Sequence, residues 1–177
     1  KRLVSWFTNR VCDVDASAKM YGAEAVEGWH EAVSTWTDEV TKKWLGSWIR
    51  LSEDGKTWSD PIRVPVSTPH GPIALANGDL LYLGKEDAGF DGGQDNGRIK
   101  ALKSKDGGRT WFEAGVVPNC EGSANDDYWE PHVVELSSGK LIGMIRYEGE
   151  DLFFGLYQTE SEDGGVTWTP AHSTGVF

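Results

Sequence analysis

Apolar and polar residues alternate along short stretches of the chain, and glycine, proline, serine or aspartate separates the stretches. Alternation of this kind predicts half-buried β-strands joined by tight turns. The stretches recur in a set order, in which a hairpin with a glycine turn is followed by two further strands. The predicted strands span residues 3–8, 45–51, 61–64, 72–75, 78–85, 98–103, 112–117, 132–136, 139–146 and 153–159.

A turn motif follows the third strand of each set. Two copies, which begin at Ser104 and Ser161, read S-x-D-G-G-x-T-W, and a copy that begins at Ser52 lacks one glycine. The aspartates stand at 54, 106 and 163, so the period is 52 and then 57 residues. Glycine supplies positive φ, aspartate and serine bond the turn amides, and tryptophan covers the turn. We interpret the motif residues as structural: Ser52, Asp54, Gly55, Trp58, Ser104, Asp106, Gly108, Trp111, Ser161, Asp163, Gly165 and Trp168.

Repeats at this spacing predict a propeller or a solenoid, and four short antiparallel strands per repeat are typical of a propeller blade. The motif is the Asp box, and the chain resembles the BNR-repeat, sialidase-like proteins. The resemblance implies an all-β, six-bladed β-propeller, of which this chain holds about three blades, at about 1–66, 67–118 and 119–177. The first blade lacks an inner strand. We therefore expect either a fragment of a longer chain or half of a ring that a second copy closes.

The strand order indicates which end of the blades carries function. The Asp boxes share an end with the tight inner-to-second turns, so the connections at 9–44, 86–97, 119–130 and 147–151 lie at the opposite end. Long loops on a rigid scaffold are frequent functional sites. The first loop holds several tryptophans, which form either an aromatic wall for a sugar or part of a packed helix over 23–33. Residues 89–97 have the composition of a calcium loop but not its spacing, which favours a solvated turn.

Candidate catalytic residues stand at the entry to the third blade's inner strand. Glu130, with Asp127 and His132 beside it, is expected at the mouth of the central channel. A carboxylate in that position serves as an acid, a base or the activator of a nucleophile, and glycoside cleavage uses two such groups. The alternative is that Glu130 ends a strand and that Asp127 is solvated.

Candidate substrate-binding residues surround this cluster. Lys85 and Arg146 occupy equivalent positions at the ends of second strands, where they either bind a substrate carboxylate or pair with Glu86, Glu148 and Glu150. The remaining candidates are His70, which shares a recurring Pro-His pair with His132, and the neighbours Tyr128 and Trp129.

The sialidase resemblance adds roles to two residues. Arg146 is similar to one arginine of the triad that holds a substrate carboxylate, and Glu130 to the glutamate that pairs with the nucleophilic tyrosine. The Phe-Arg-Ile-Pro segment that usually carries the first arginine is absent from the sequence. The resemblance implies a glycoside hydrolase that acts on a glycan terminus, with sialidase activity as the specific case. A carbohydrate-binding or protein-interaction propeller without catalysis, and a polysaccharide lyase, are the alternatives.

Composition and charge limit the kinds of molecule that this protein is expected to bind. The formal net charge of −11 argues against nucleic acid, because phosphate binding requires a basic surface. No stretch reaches the roughly 20 apolar residues of a membrane helix, so no membrane partner is expected. Cys12 and Cys120 are either unrelated thiols or one bridge between two loops. We expect a carbohydrate ligand, no cofactor and no metal, and the resemblance implies a secreted or periplasmic bacterial protein.

Overall fold

The computed structural model describes residues 2–8, 14–44, 46–86, 97–149 and 154–176. Within these ranges the strands form three antiparallel sheets that follow one another along the chain, and each sheet is one blade of a β-propeller. The predicted all-β propeller fold is confirmed. The strands predicted above have limits within two residues of the predicted ones, except in the two inner strands, and a further strand lies at His172–Val176.

The first blade has three strands, β1 (Arg2–Thr8), β2 (Gly46–Ser52) and β3 (Ile62–Val64), in that order. Between β1 and β2, the described residues form three short α-helices, α1 (Val14–Tyr21), α2 (Trp29–Ser34) and α3 (Asp38–Trp44), and a 3₁₀-helix at Ala23–Val26. Helical structure therefore covers most of the predicted 23–33 segment. Trp29 and Trp36 stay 40% and 52% exposed, whereas Trp44 and Trp48 contact each other with ring centroids 5.6 Å apart. In the described part of the chain, no helix has the length and apolar character that a membrane span requires.

The second blade contains β4 (Val66–Ser67), β5 (Ile73–Ala74), β6 (Leu80–Glu86), β7 (Ile99–Ser104) and β8 (Phe112–Val116). Both β4 and β5 pair with β6, at its opposite ends, so the inner strand predicted at 72–75 begins earlier and is split. Pro69 and Pro72 lie in the interruption. Proline has no N–H to donate to a neighbouring strand, which explains the gap in the pairing.

The third blade has four strands, β9 (Tyr128–Glu135), β10 (Leu141–Tyr147), β11 (Gly155–Ser161) and β12 (His172–Val176), in the order β12-β11-β10-β9. The register confirms the predicted equivalence of Lys85 and Arg146. Leu80 pairs with Ser104 and Leu141 with Ser161, the first serines of two Asp boxes. Each cation lies five residues further along its strand, at the end opposite the Asp boxes.

The Asp boxes are held by hydrogen bonds within each turn. The Asp163 carboxylate accepts bonds from the backbone N–H groups of Val166 and Thr167, at 3.0 and 2.9 Å, and from the Thr167 hydroxyl at 2.6 Å. Asp54 and Asp106 repeat this arrangement. Hydrogen bonds from the threonine of each box are the main cause that lowers the pKa of its aspartate, from 3.8 to about 2 at Asp54.

The second glycine of a complete box lies against the preceding blade. A Cβ atom at Gly108 would stand 3.2 Å from Leu3 of the first blade, and one at Gly165 would stand 3.2 Å from Leu81 of the second. The box tryptophan completes the contact, since the Trp168 indole donates to the Gly165 carbonyl oxygen at 3.0 Å and its side chain is buried. The same turn therefore ends a strand and joins two blades.

Among the residues that the structure describes, two hydrophobic clusters pack between neighbouring blades. The cluster between the first and second blades consists of Ile49, Val64, Val66, Tyr82 and Leu102. The larger cluster, between the second and third blades, includes Leu81, Leu83, Ile99, Tyr128, Val133, Leu141 and Ile145. Burial of these side chains supplies the main driving force that fixes one blade against the next.

Candidate functional site

The candidate site surrounds a bulge in β9, at the loop end of the third blade. The pairing register of β9 with β10 shifts between Met144 and Arg146, so that Glu130 and Pro131 together oppose Ile145. Glu130 has a φ of 49°, in the left-handed region that residues other than glycine seldom adopt. A backbone of this kind costs about 1–3 kcal/mol and persists only where the surroundings hold it. The bulge turns Glu130 out of the regular strand.

Arg146 bridges two carboxylates beside the bulge. Its Nη1 atom lies 3.3 Å from Oε1 of Glu130, and its Nη2 atom lies 3.0 Å from Oε1 of Glu148. The three side chains are between 33% and 43% exposed. Ion pairs at such exposure add about 0–1 kcal/mol to stability, so the arrangement orients the carboxylates more than it stabilises the fold. The predicted pairing with Glu148 is present, while Glu150 lies outside the described residues.

Lys85 and Trp129 form a second contact across the two blades. The Lys85 Nζ atom lies 3.6 Å from the Trp129 ring centroid and 3.7 Å from Oδ1 of Asp126. Glu86, predicted as a partner of Lys85, instead binds Lys100 at 2.6 Å. The Trp129 side chain remains 38% exposed. The indole therefore presents ring surface to solvent at the same end as Glu130.

The two histidines of the recurring Pro-His pairs meet at this end. The rings of His70 and His132 lie 5.2 Å apart, centroid to centroid, at an angle of 53°. Burial, and then the charge of His70, lower the pKa of His132 below its usual 6.5. In the described part of the chain, the buried Nδ1 atom of His132 has no hydrogen-bond partner. A neutral imidazole of this kind can accept a proton in a reaction.

Asp127 is more constrained than the sequence suggests. Its Oδ2 atom accepts a hydrogen bond from the N–H of Ala124 at 2.8 Å, and the Tyr147 hydroxyl lies 3.5 Å from the same atom. Its backbone oxygen accepts a bond from the N–H of Glu148 at 2.8 Å. Asp127 thus ties the loop before β9 to the end of β10, close to the carboxylate partners of Arg146.

Tyr128 requires a correction, because the sequence places it among the substrate-binding residues and the structure buries it. It is 1% exposed, and its hydroxyl accepts a hydrogen bond from the N–H of Cys120 at 3.0 Å and lies 2.6 Å from the Ser123 hydroxyl. Burial raises the pKa of Tyr128 to about 12. The residue holds the 120–123 loop against the core and leaves no surface for a ligand.

A cluster of tyrosines beneath the site was not predicted from the sequence. The Tyr147 ring stacks on Tyr157 at 4.1 Å, and Tyr128 meets Tyr147 edge-on at 5.2 Å. Burial, and then the charge of Asp127, raise the pKa of Tyr147 to about 12. The alternation of side chains along a strand could have predicted the position of Tyr147. Tyr147 follows Arg146 directly, so the two side chains point to opposite faces of the blade.

Possible metal ligands and the two cysteines are the remaining features that the sequence singled out. Across the described ranges, no three His, Cys, Asp or Glu side chains are grouped in a way that could hold a metal ion. Cys120 is a free thiol within contact distance of Ser123 and Tyr128. Cys12 and residues 89–96 of the calcium-like segment lie outside the described residues.

Antiparallel blades joined by Asp boxes, with charged and aromatic side chains at the opposite end, define a β-propeller of the BNR class. The family model described as a BNR repeat-like domain matches residues 24–176. This chain therefore belongs to the BNR repeat-like domain family. A search of curated proteins found no match.

Solved structures share the fold at low identity. A Dyadobacter fermentans protein of unknown function matches 75% of this chain with a TM-score of 0.60 and 22% identity. An α-L-arabinanase from Penicillium chrysogenum matches 74% with a TM-score of 0.54 and 21% identity, and a leech intramolecular trans-sialidase matches 75% with a TM-score of 0.54 and 20% identity. The chain spans 39%, 42% and 20% of these three proteins, respectively. These matches show the fold.

Proposed function

We propose that this chain supplies part of the active site of a glycoside hydrolase, at the loop end of the second and third blades. The observation that carries the proposal is the position of Glu130, on a strained bulge and 3.3 Å from a guanidinium nitrogen of Arg146. Strain held in place by its surroundings is common at functional sites. The fold is also shared with an α-L-arabinanase and an intramolecular trans-sialidase, both of which act on sugars.

The surrounding groups fit the chemistry of glycoside cleavage. Glu130, which lies against Arg146, would act as the base or the nucleophile of this reaction. Glycoside cleavage needs a second group that donates a proton to the leaving oxygen. A carboxyl group elsewhere in the protein would fill that role, whereas the neutral His132 would accept a proton. Asp127, whose side chain accepts a hydrogen bond from the Ala124 N–H, would position the loop. The exposed face of Trp129 would stack on a sugar ring.

The test is Glu130→Gln in the protein as its gene encodes it, assayed on a panel of arabinosides, galactosides, glucosides and sialosides. We expect hydrolysis of the best substrate to fall about 10²–10⁴-fold, as on loss of an acid–base group. Glu121→Gln is the matched control, because Glu121 is an exposed carboxylate in the loop that leads to the same strand. Full activity of the Glu130 variant would remove Glu130 from the mechanism.

A second candidate function is carbohydrate binding without cleavage. It is favoured by the exposed ring of Trp129, which lies against Lys85 and would stack on a sugar whether or not a bond is broken. This function predicts saturable binding of a glycan that Trp129→Ala weakens, with no product after prolonged incubation. Glu130→Gln would then leave binding unchanged.

A further inference from the structure

We infer that the sugar unit bound at the loop end of the second and third blades is uncharged. This inference rests on the proposed function and adds a substrate class to it. A charged sugar would need a cation near Trp129 and Glu130 that is available to its carboxylate.

Arg146 is committed to protein carboxylates. Its two terminal nitrogens are used separately, one by Glu130 and one by Glu148, so a single guanidinium faces two carboxylates. The remaining nitrogen, Nε, is buried from solvent. A substrate carboxylate would have to displace one of the two glutamates and would still meet the other. Both terminal nitrogens, with which arginine usually binds a carboxylate, are therefore already in contact with protein carboxylates.

Lys85 is engaged in the same way. Its ammonium group lies over the Trp129 ring and within 3.7 Å of Asp126. The Nζ atom is buried from solvent, so the ammonium group is held against an aromatic face and near a carboxylate. The cation at this position thus orients the indole that would stack on a sugar, and it faces an acidic neighbour instead of open solvent.

The other cations near this end of the second blade are also neutralised. Arg98 pairs with Glu86 at 3.1 Å, and Lys100 lies 2.6 Å from Glu86 and 2.9 Å from Glu113. Among the described residues, the ion pairs around the site join four cations, Lys85, Arg98, Lys100 and Arg146, to five carboxylates, Glu86, Glu113, Asp126, Glu130 and Glu148.

The four cations and five carboxylates of these ion pairs together carry a net charge of −1. Asp127 adds a further carboxylate, held by a backbone N–H group and a tyrosine hydroxyl and by no cation that the structure describes. His132 adds little positive charge at neutral pH, because burial lowers its pKa. An anionic sugar would be repelled at such a surface, whereas hydroxyl groups of a neutral sugar can donate hydrogen bonds to the carboxylate oxygens.

The experiment uses pairs of glycosides that differ only in one carboxylate. Glucosides are compared with glucuronides, galactosides with galacturonides, and an α-sialoside with its carboxyl methyl ester, by binding and by hydrolysis on the complete protein. We expect the neutral member of the best-bound pair to bind about ten-fold more tightly at low salt, with a smaller difference at high salt because ions screen the repulsion.

Variants locate the cause of the preference. Glu148→Gln frees one side of Arg146 and should raise the affinity for the carboxylated member several-fold, while the neutral member changes little. Asp126→Asn should act in the same direction through Lys85. Glu121→Gln is the control and should leave the ratio unchanged. Circular dichroism melting curves establish that each variant is folded.

The outcomes separate this inference from the function on which it rests. If the carboxylated member of a pair binds as well as or better than the neutral one, the inference is overturned while glycan recognition stands. If a preference for neutral sugars is found but Glu148→Gln and Asp126→Asn leave it unchanged, the assignment to these residues is wrong. If no glycan in any pair is bound or cleaved, the proposed function fails and the inference falls with it.

Discussion

Thr68 and Pro131 are joined by a buried hydrogen bond that links the second blade to the bulge of the third. The Thr68 hydroxyl donates to the Pro131 carbonyl oxygen at 2.7 Å, across a separation of 63 residues in sequence. Pro131 follows Glu130 directly, so this bond holds the segment whose backbone is strained. The irregular stretch of β9 is therefore anchored to the neighbouring blade.

The first prediction is that Thr68→Val lowers the free energy of unfolding by about 1–3 kcal/mol, because a buried carbonyl oxygen loses its partner while side-chain volume is nearly unchanged. Chemical denaturation of the protein measures the change. Thr68→Ser is the control, since it keeps the hydroxyl and should recover most of the loss. Equal stability of the valine variant and the wild type would show that water satisfies the Pro131 carbonyl.

A second prediction concerns the close approach of two blades at Gly115. A Cβ atom there would lie 2.4 Å from the carbonyl oxygen of Val166 and 2.6 Å from that of Gly165. Gly115→Ala must push the outer strand of the second blade away from the third Asp box, at a cost of about 1–3 kcal/mol. Thermal unfolding measures the loss.

Val166→Ala is the matched control for this steric effect. The Val166 side chain is 55% exposed, and the substitution leaves the carbonyl oxygen in place, so we expect a change within about 0.5 kcal/mol. Comparable losses in the two variants would mean that side-chain packing, and not the backbone contact, decides stability here.

The third prediction is a pH dependence carried by the Asp boxes. Their aspartates have pKa values below the usual 3.8 in the folded protein, about 2 at Asp54. Because the folded pKa is depressed, the stabilisation is complete above the unfolded pKa near 4 and is lost as pH falls through the folded values. We expect the free energy of unfolding to decrease from about pH 4 towards pH 2.

Asp163→Asn tests the assignment of that pH dependence. An amide offers one acceptor oxygen where the carboxylate uses two, so the variant should be less stable at neutral pH. It should also lose less stability on acidification than the wild type. An acid titration of unfolding with the same slope in both proteins would assign the pH dependence to other groups.

The fourth prediction concerns His132. Burial and the neighbouring His70 lower its pKa, so the unfolded state binds a proton more readily and stability falls as pH drops from 6.5 through the folded value. His70→Ala should raise the pKa of His132 part of the way towards 6.5, because burial remains. Imidazole NMR titration measures this shift, and His172→Ala should not produce it. A His132 pKa above 6.5 in the wild type would contradict the prediction.

The repeat explains why so much of the fold was predictable. The bonds that hold an Asp box join residues within four positions of each other, as between Asp163 and Thr167. Such contacts depend only on the local sequence, and so the turns and the strands that they connect are visible in it. The equivalence of Lys85 and Arg146 follows from the same repetition, since strands of equal length between equal turns have equal registers.

Other features depend on contacts between residues far apart in the chain, and only the tertiary structure reveals them. The side chain of Tyr128 is buried because the second and third blades pack around it, whereas its acidic and aromatic neighbours suggested a surface position. The bulge at Glu130 is joined to the second blade by the bond from Thr68 to Pro131, and Lys85 contacts Trp129 of the next blade.

The sequence by itself therefore determined the class of fold, the turn residues and the end of the blades that carries the candidate site, because local hydrogen bonds and alternation encode them. The tertiary structure decided which candidates are exposed, how Arg146 and Lys85 are paired and where the backbone is strained. Those properties depend on burial and on charge pairing, and both arise only when separate blades come together.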